Sequence, residues 1–188
     1  MNLNLSLKDK KINTFILSGK INDEKIINNL INFVKNNEDK ELYNVTNVKG
    51  NFTGFKSGIG NEDFHLFLKL IQPAIRAIFQ DDFIIFEAWG NILKKGGEVL
   101  EHDHAGITAF SGIIYLSNNG PGTYFKEHDL IIEEELGKFV LFHSHLRHSV
   151  KKIESDIERI TFAFNCSRVT PWSPDKKQKI NWINKNEI

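Results

Sequence analysis

The chain has 188 residues, 40% of them hydrophobic and 26% charged, with 24 basic residues balanced by 24 acidic ones. That length suits one domain burying its own core without staples, and zero net charge argues against bulk nucleic acid or an anionic membrane as partner. The single cysteine, Cys166, excludes an internal disulfide framework and a cysteine-based zinc site, and it fits a reducing, cytoplasmic compartment. No apolar run approaches the about 20 residues a transmembrane helix needs, and the chain start lacks the apolar stretch of a signal peptide.

In chain order, residues 11–18 read as a first strand. Asn22 is placed to cap a helix with Asp23 and Glu24 in its first turn, and Ile26, Ile27, Leu30, Ile31 and Val34 then recur at helical spacing to about Asn36. Residues 43–60 hold four glycines and read as an irregular loop. A second helix is expected from about Asn61, burying Phe64, Phe67, Leu68, Ile71, Ile75 and Ile78, with Pro73 placed to kink it. The rhythm then changes to strands at 83–93, 99–104, 108–117, 122–126, 129–133, 138–143, 146–152 and 158–168. Turn signals separate them at 94–97, 118–122, Gly137 and 154–156. Many short strands at this spacing predict a mainly β sandwich or jelly roll, with the two helices packed on one sheet. Residues 1–80 form the helical support and loop, 81–169 the β core, and 170–188 a Lys-rich tail expected to dock through Trp172 and Trp182. The loop at 43–60 and the tail are the candidate lids.

Six of the seven histidines lie between His102 and His148. In Glu101-His102-Asp103-His104, residues two apart on a strand share a face, so His102 and His104 aim at one point while Asp103 points away. A third ligand must come from Leu141–Val150, which holds His143, His145 and His148. Two histidines from one strand and a third from a later one suit a mononuclear metal in a barrel mouth. His65 and His128 have no visible partner by motif and read as structural. His143 and His145 lean the same way. In Glu158-Arg159-Ile160-Thr161-Phe162-Ala163-Phe164-Asn165, alternation puts Arg159, Thr161, Ala163 and Asn165 on the polar face, opposite Ile160, Phe162 and Phe164. A guanidinium with a hydroxyl two residues on is shaped to grip a carboxylate. A salt bridge to a surface Glu is the plain alternative. Tyr115 lies in an apolar strand where its phenol needs a polar partner.

The ordered set resembles a known family. It runs Trp89-Gly90-Asn91, Gly96-Gly97, His102-Asp103-His104, Ser111-Gly112-Ile113-Ile114-Tyr115-Leu116, Gly122, Phe125, Gly137 to Phe142, His148-Ser149-Val150, Glu158 to Thr161 and Phe164-Asn165. Together with Asn44 to Gly58 it resembles the iron(II)/2-oxoglutarate-dependent oxygenases of the prolyl-hydroxylase-like superfamily, in a subgroup common in marine bacteria and phages. The resemblance spans about residues 40–166. It implies a double-stranded β-helix, with Fe(II) as cofactor and 2-oxoglutarate as cosubstrate. It implies His102 and His148 as iron ligands, and Arg159 gripping the outer carboxylate of 2-oxoglutarate with Thr161 and Tyr115 beside it. Asn91 and Asn165 match polar positions facing the pocket. The implied reaction hydroxylates a small molecule or peptide and releases succinate and CO2.

One departure stands out: where the superfamily carries His-x-Asp, this chain has His104. Either the site uses three histidines, or Asp103 ligates from an irregular backbone, or water fills the gap, and strand parity favours His104. Read from His104, the motif becomes His104-Ala105-Gly106, whose missing carboxylate resembles the iron halogenases. Two other readings stand beside the oxygenase. A cupin-like three-His enzyme without 2-oxoglutarate puts Arg159 outside the pocket. A non-catalytic jelly-roll binding module makes the His cluster incidental. A homodimer is compatible with the sequence, which does not name the substrate.

Overall fold

Residues 4–9, 14–39, 46–78, 83–106, 108–168 and 182–183 are described in the computed structural model. β1 (Asn4–Asp9) pairs antiparallel with β2 (Ile16–Lys20), so a strand stands ahead of the expected first one and the second begins later than 11. The Asn/Leu alternation at the chain start was itself a period-2 signal. α1 (Glu24–Asn36) is capped by Asp23 rather than Asn22: its Oδ1 accepts the backbone N–H groups of Lys25 and Ile26 at 3.1 Å each, a reach that Asn22 lies one residue too early to make. The segment 46–60, expected as loop, carries two short strands, β3 (Val48–Lys49) and β4 (Asn51–Phe52). α2 (Glu62–Ile78) follows Asn61, whose Oδ1 accepts the Phe64 N–H at 2.9 Å. It buries Phe64, Phe67, Leu68, Ile71 and Ile75, and continues through an exposed Pro73.

The β core follows the predicted rhythm: β5 (Phe83–Leu93), β6 (Glu98–His102), β7 (Phe110–Tyr115), β8 (Thr123–Phe125), β9 (Leu130–Ile132), β10 (Lys138–His143), β11 (His148–Val150) and β12 (Arg159–Arg168). β13 (Trp182–Ile183) closes the order by pairing with β5. The rest of the 171–188 tail, including Trp172, lies outside the described residues, so docking through its rings does too. The strands form two antiparallel sheets, β1-β2-β10-β7-β12-β5-β13 with β4 also on β5, and β3-β6-β11-β8-β9. This is the expected mainly β jelly roll.

The two faces of the larger sheet do different work. Its outer face packs α1 and α2 through Leu17, Ile114, Phe139, Ile160, Phe162 and Phe164. Each of its fully buried phenylalanines contributes about 2–3 kcal/mol of burial. α1 sits directly on β5, because a Cβ at Gly90 would come within 2.4 Å of Val34 Cγ2. The inner face meets the smaller sheet around Ile16, Tyr115, Phe125, Val140 and Phe142. β12 shows the predicted alternation with one correction. Arg159, Thr161, Ala163 and Asn165 face a buried interior rather than a polar surface, since the second sheet covers them. A register shift opposite Asn165 and Cys166 rotates β5, so Phe83 and Ile85 face the helices while Glu87, Trp89 and Asn91 turn inward.

Candidate metal centre and its cavity

Between the sheets lies a cavity of about 70 Å³, several times what one water needs, so a small ligand fits. At one end stand three imidazoles. His102, at the end of β6, is the cross-strand partner of His148, at the start of β11. His104 lies two residues past β6, held by its backbone N–H donating to Ser144 O at 2.8 Å. One nitrogen from each ring lies within 4.8 Å of the other two. Asp103 is exposed and its Oδ1 accepts the Ala105 N–H at 3.0 Å, so it takes no part in the cluster.

Two of the rings have their tautomer set by the backbone. His102 Nδ1 lies 2.8 Å from Leu100 O, and His148 Nδ1 lies 3.0 Å from Leu146 O. A carbonyl only accepts, so each Nδ1 carries the proton and each Nε2 keeps its lone pair. Burial pushes all three imidazoles below their usual value, His104 to about 4 and His148 well below, so they stay neutral donors at neutral pH. His104 Nδ1 lies 3.5 Å from Asn165 Nδ2, and that amide is fixed in turn: it donates to Glu87 Oε2 and accepts from Ser111 Oγ, both at 2.7 Å. A first-row transition metal fits this donor set.

At the far end lies Arg159, 2% exposed. Its Nε donates to Pro121 O at 3.0 Å and its Nη2 to Thr123 Oγ1 at 3.3 Å, with Cζ 5.5 Å from the centre of the Tyr115 ring. Burial lowers its pKa, and Tyr115 and Glu134 oppose that shift. Among the described residues lining the cavity, Arg159 is the one Lys, Arg, Asp or Glu. Tyr115 does not reach the lining. It lies fully buried beneath Arg159, and its hydroxyl donates to Thr123 Oγ1 at 2.8 Å. Thr161 lines the cavity and accepts from Asn91 Nδ2 at 3.4 Å, while Asn91 Oδ1 accepts the Trp89 indole N–H at 3.1 Å. The other histidines stand elsewhere. His65 contacts Ile59 O, and His143 packs against Phe15 and His145. His128 lies in a 3-10 turn.

Three contributors escaped the sequence reading. Thr123 touches both Arg159 and Tyr115, and the inward parity it shares with the buried Phe125 was a usable signal. Phe55 packs against Trp89 with ring centres 5.2 Å apart and lines the cavity from the 43–60 segment, where no periodicity marked it. Glu134 is buried behind Arg159 and also had no local signal.

Residues 121–165 match the family described as "Putative 2OG-Fe(II) oxygenase". No curated protein matches the chain in sequence. Among solved structures, the chain is similar to a viral collagen prolyl hydroxylase from Paramecium Bursaria Chlorella virus-1, solved with 2OG, at TM-score 0.64 and 15% identity, covering 81% of this chain and 96% of that one. A prolyl-4-hydroxylase of Pseudomonas putida aligns at TM-score 0.58 and 15% identity, covering 79% and 89%. HygX of Streptomyces hygroscopicus, solved with nickel, 2-oxoglutarate and hygromycin B, aligns at TM-score 0.58 and 10% identity, covering 82% of each chain. The chain therefore carries a segment similar to the 2OG-Fe(II) oxygenase family and shares its fold with these solved structures.

Proposed function

We propose that the chain is an Fe(II)- and 2-oxoglutarate-dependent dioxygenase that hydroxylates a small-molecule or peptide substrate. The observation that carries this is one cavity holding three convergent imidazoles at one end and a buried guanidinium at the other. His102, His104 and His148 hold the metal. Arg159 receives the far carboxylate of 2-oxoglutarate, oriented by Pro121 O and Thr123 and backed by the Tyr115 ring. Thr161, Asn91 and Asn165 supply polar contacts along the wall. Bound iron and 2-oxoglutarate supply the oxidising chemistry, consuming O2 and releasing succinate and CO2. The protein's own part is to fix the donors, bury the cation and exclude water with Phe55 and Trp89 at the wall. The buried thiol of Cys166 suits a reducing, cytoplasmic setting.

The all-imidazole donor set favours a second reading, a cupin-like metal enzyme that does not use 2-oxoglutarate. Arg159 in the cavity wall weighs against it. Anaerobic addition of Fe(II) and then 2-oxoglutarate separates the two. The oxygenase develops a metal-to-ligand absorption band and, once air is admitted, forms succinate. A folded protein that binds Fe(II) but gives neither signal overturns the oxygenase reading.

A further inference from the structure

The charges around this cavity are unusually spare. The metal donors are imidazoles, neutral as ligands, and the nearby carboxylate of Asp103 is exposed and turned onto Ala105 N–H. Arg159 is the cationic residue of the lining, and Glu134 lies behind it, 8% exposed. Glu134 Oε1 accepts from Ser117 Oγ, while its Oε2 has no hydrogen-bond partner among the described residues. A Cβ at Gly120 would meet that Oε2 at 2.1 Å and Arg159 Cγ at 3.2 Å, so the acid and the base flank the same glycine. The Arg159 cation and the Glu134 carboxylate therefore lie on either side of Gly120, and at the other end the Glu87 carboxylate is engaged by Asn165 rather than by a donor ring.

We infer that a divalent metal and the dicarboxylate bind here as mutually dependent partners, because His104 leaves the metal's charge uncompensated until the dicarboxylate arrives. This rests on the Fe(II)/2-oxoglutarate reading above. A divalent cation alone adds two positive charges to a largely buried site, and a dianion alone adds two negative ones. Together they add none. Burying unpaired charge is costly, and opposite charges attract strongly where water is excluded. A carboxylate ligand would meet part of the metal's charge beforehand, and among the described residues none joins the three imidazoles. By linkage, each partner must tighten the other by the same factor. The chain thus holds its metal firmly only while the dicarboxylate is plentiful, so metal occupancy reports the supply of cosubstrate.

Equilibrium dialysis with Mn(II), which needs no turnover, tests this. In the wild type, saturating 2-oxoglutarate should lower the Mn(II) Kd by about tenfold or more. His104→Asp should bind Mn(II) alone more tightly than the wild type and show a smaller factor. An Mn(II) Kd unchanged by 2-oxoglutarate overturns the inference, as does a His104→Asp factor equal to the wild type's. Should that variant fail to fold by circular dichroism, pyruvate decides on the wild type. It offers the same keto-acid head with one charge fewer, so its factor must be smaller, and an equal one overturns the inference. A folded wild type that retains no Mn(II) under any condition rejects the metal centre itself, and the inference with it.

Discussion

The two ends of the cavity solve opposite problems. The histidine end offers lone pairs from two half-buried rings, His102 and His104, and from the buried His148, none of them charged. The arginine end offers a permanent charge sealed inside the protein and held in place by a carbonyl, a hydroxyl, a ring face and a carboxylate behind it. Neutral donors can be positioned cheaply, because an uncharged imidazole tied to a carbonyl costs little to bury. A buried cation cannot, and so the larger supporting apparatus surrounds Arg159 rather than the histidines. The backbone contributions differ to match. Leu100 O and Leu146 O fix a tautomer, whereas Pro121 O takes a guanidinium N–H and helps replace lost water.

Changes at each end should separate these roles. The largest effect is expected from His148→Ala, which removes a donor. Supporting residues around metal ligands are worth about 10- to 100-fold in affinity, so losing the ligand should exceed that in Mn(II) dialysis. A loss under tenfold would move the metal off His148. Arg159→Ala comes next. Charge-assisted bonds contribute about 1.5–3 kcal/mol each, so 2-oxoglutarate binding should weaken by about 100-fold in calorimetry while Mn(II) binding alone changes little. Equal losses of both ligands would erase the division between the ends. Tyr115→Phe keeps the ring under Arg159 and deletes the hydroxyl on Thr123. About 1 kcal/mol, or roughly fivefold in 2-oxoglutarate affinity, should go, with metal affinity unmoved.

A separate effect concerns acid. Burial pushes His104 down from the ordinary 6.5 to about 4 in the folded protein. Between those values the unfolded chain takes up a proton that the folded one refuses, so stability present above pH 6.5 is lost as pH falls towards 4. The thermal midpoint of the metal-free protein should drop across that window, and His104→Ala should flatten the drop. An unchanged slope in the variant would assign the effect to other groups.

What could be read in advance followed the period-2 rule. Alternation on β12 separated Arg159, Thr161 and Asn165 from the phenylalanines that meet the helices, and parity paired His102 with His104 against Asp103. It misjudged only what covers the inner face, because periodicity reports which residues share a side and not what packs there. The support for Arg159 was harder to see. Glu134 and Pro121 reach it from other parts of the chain, and such contacts leave no trace in local spacing. The shift in β5, where the pairing with β12 passes over Phe86 between Ile85 and Glu87, was equally hidden, since a register irregularity depends on the partner strand as much as on the residue passed over. Asp23 displaced Asn22 as the cap by a single position, within the usual ambiguity of helix ends.

The clips on His102 and His148 have a further implication. Each ring is tied to the carbonyl two residues back in its own segment, not to a distant element. The aim of these donors is thus a local property of two short tripeptides, Leu100 to His102 and Leu146 to His148. Such a unit is portable: the segments around the cavity could be exchanged wholesale by recombination or by engineering while this imidazole pair kept its bearing.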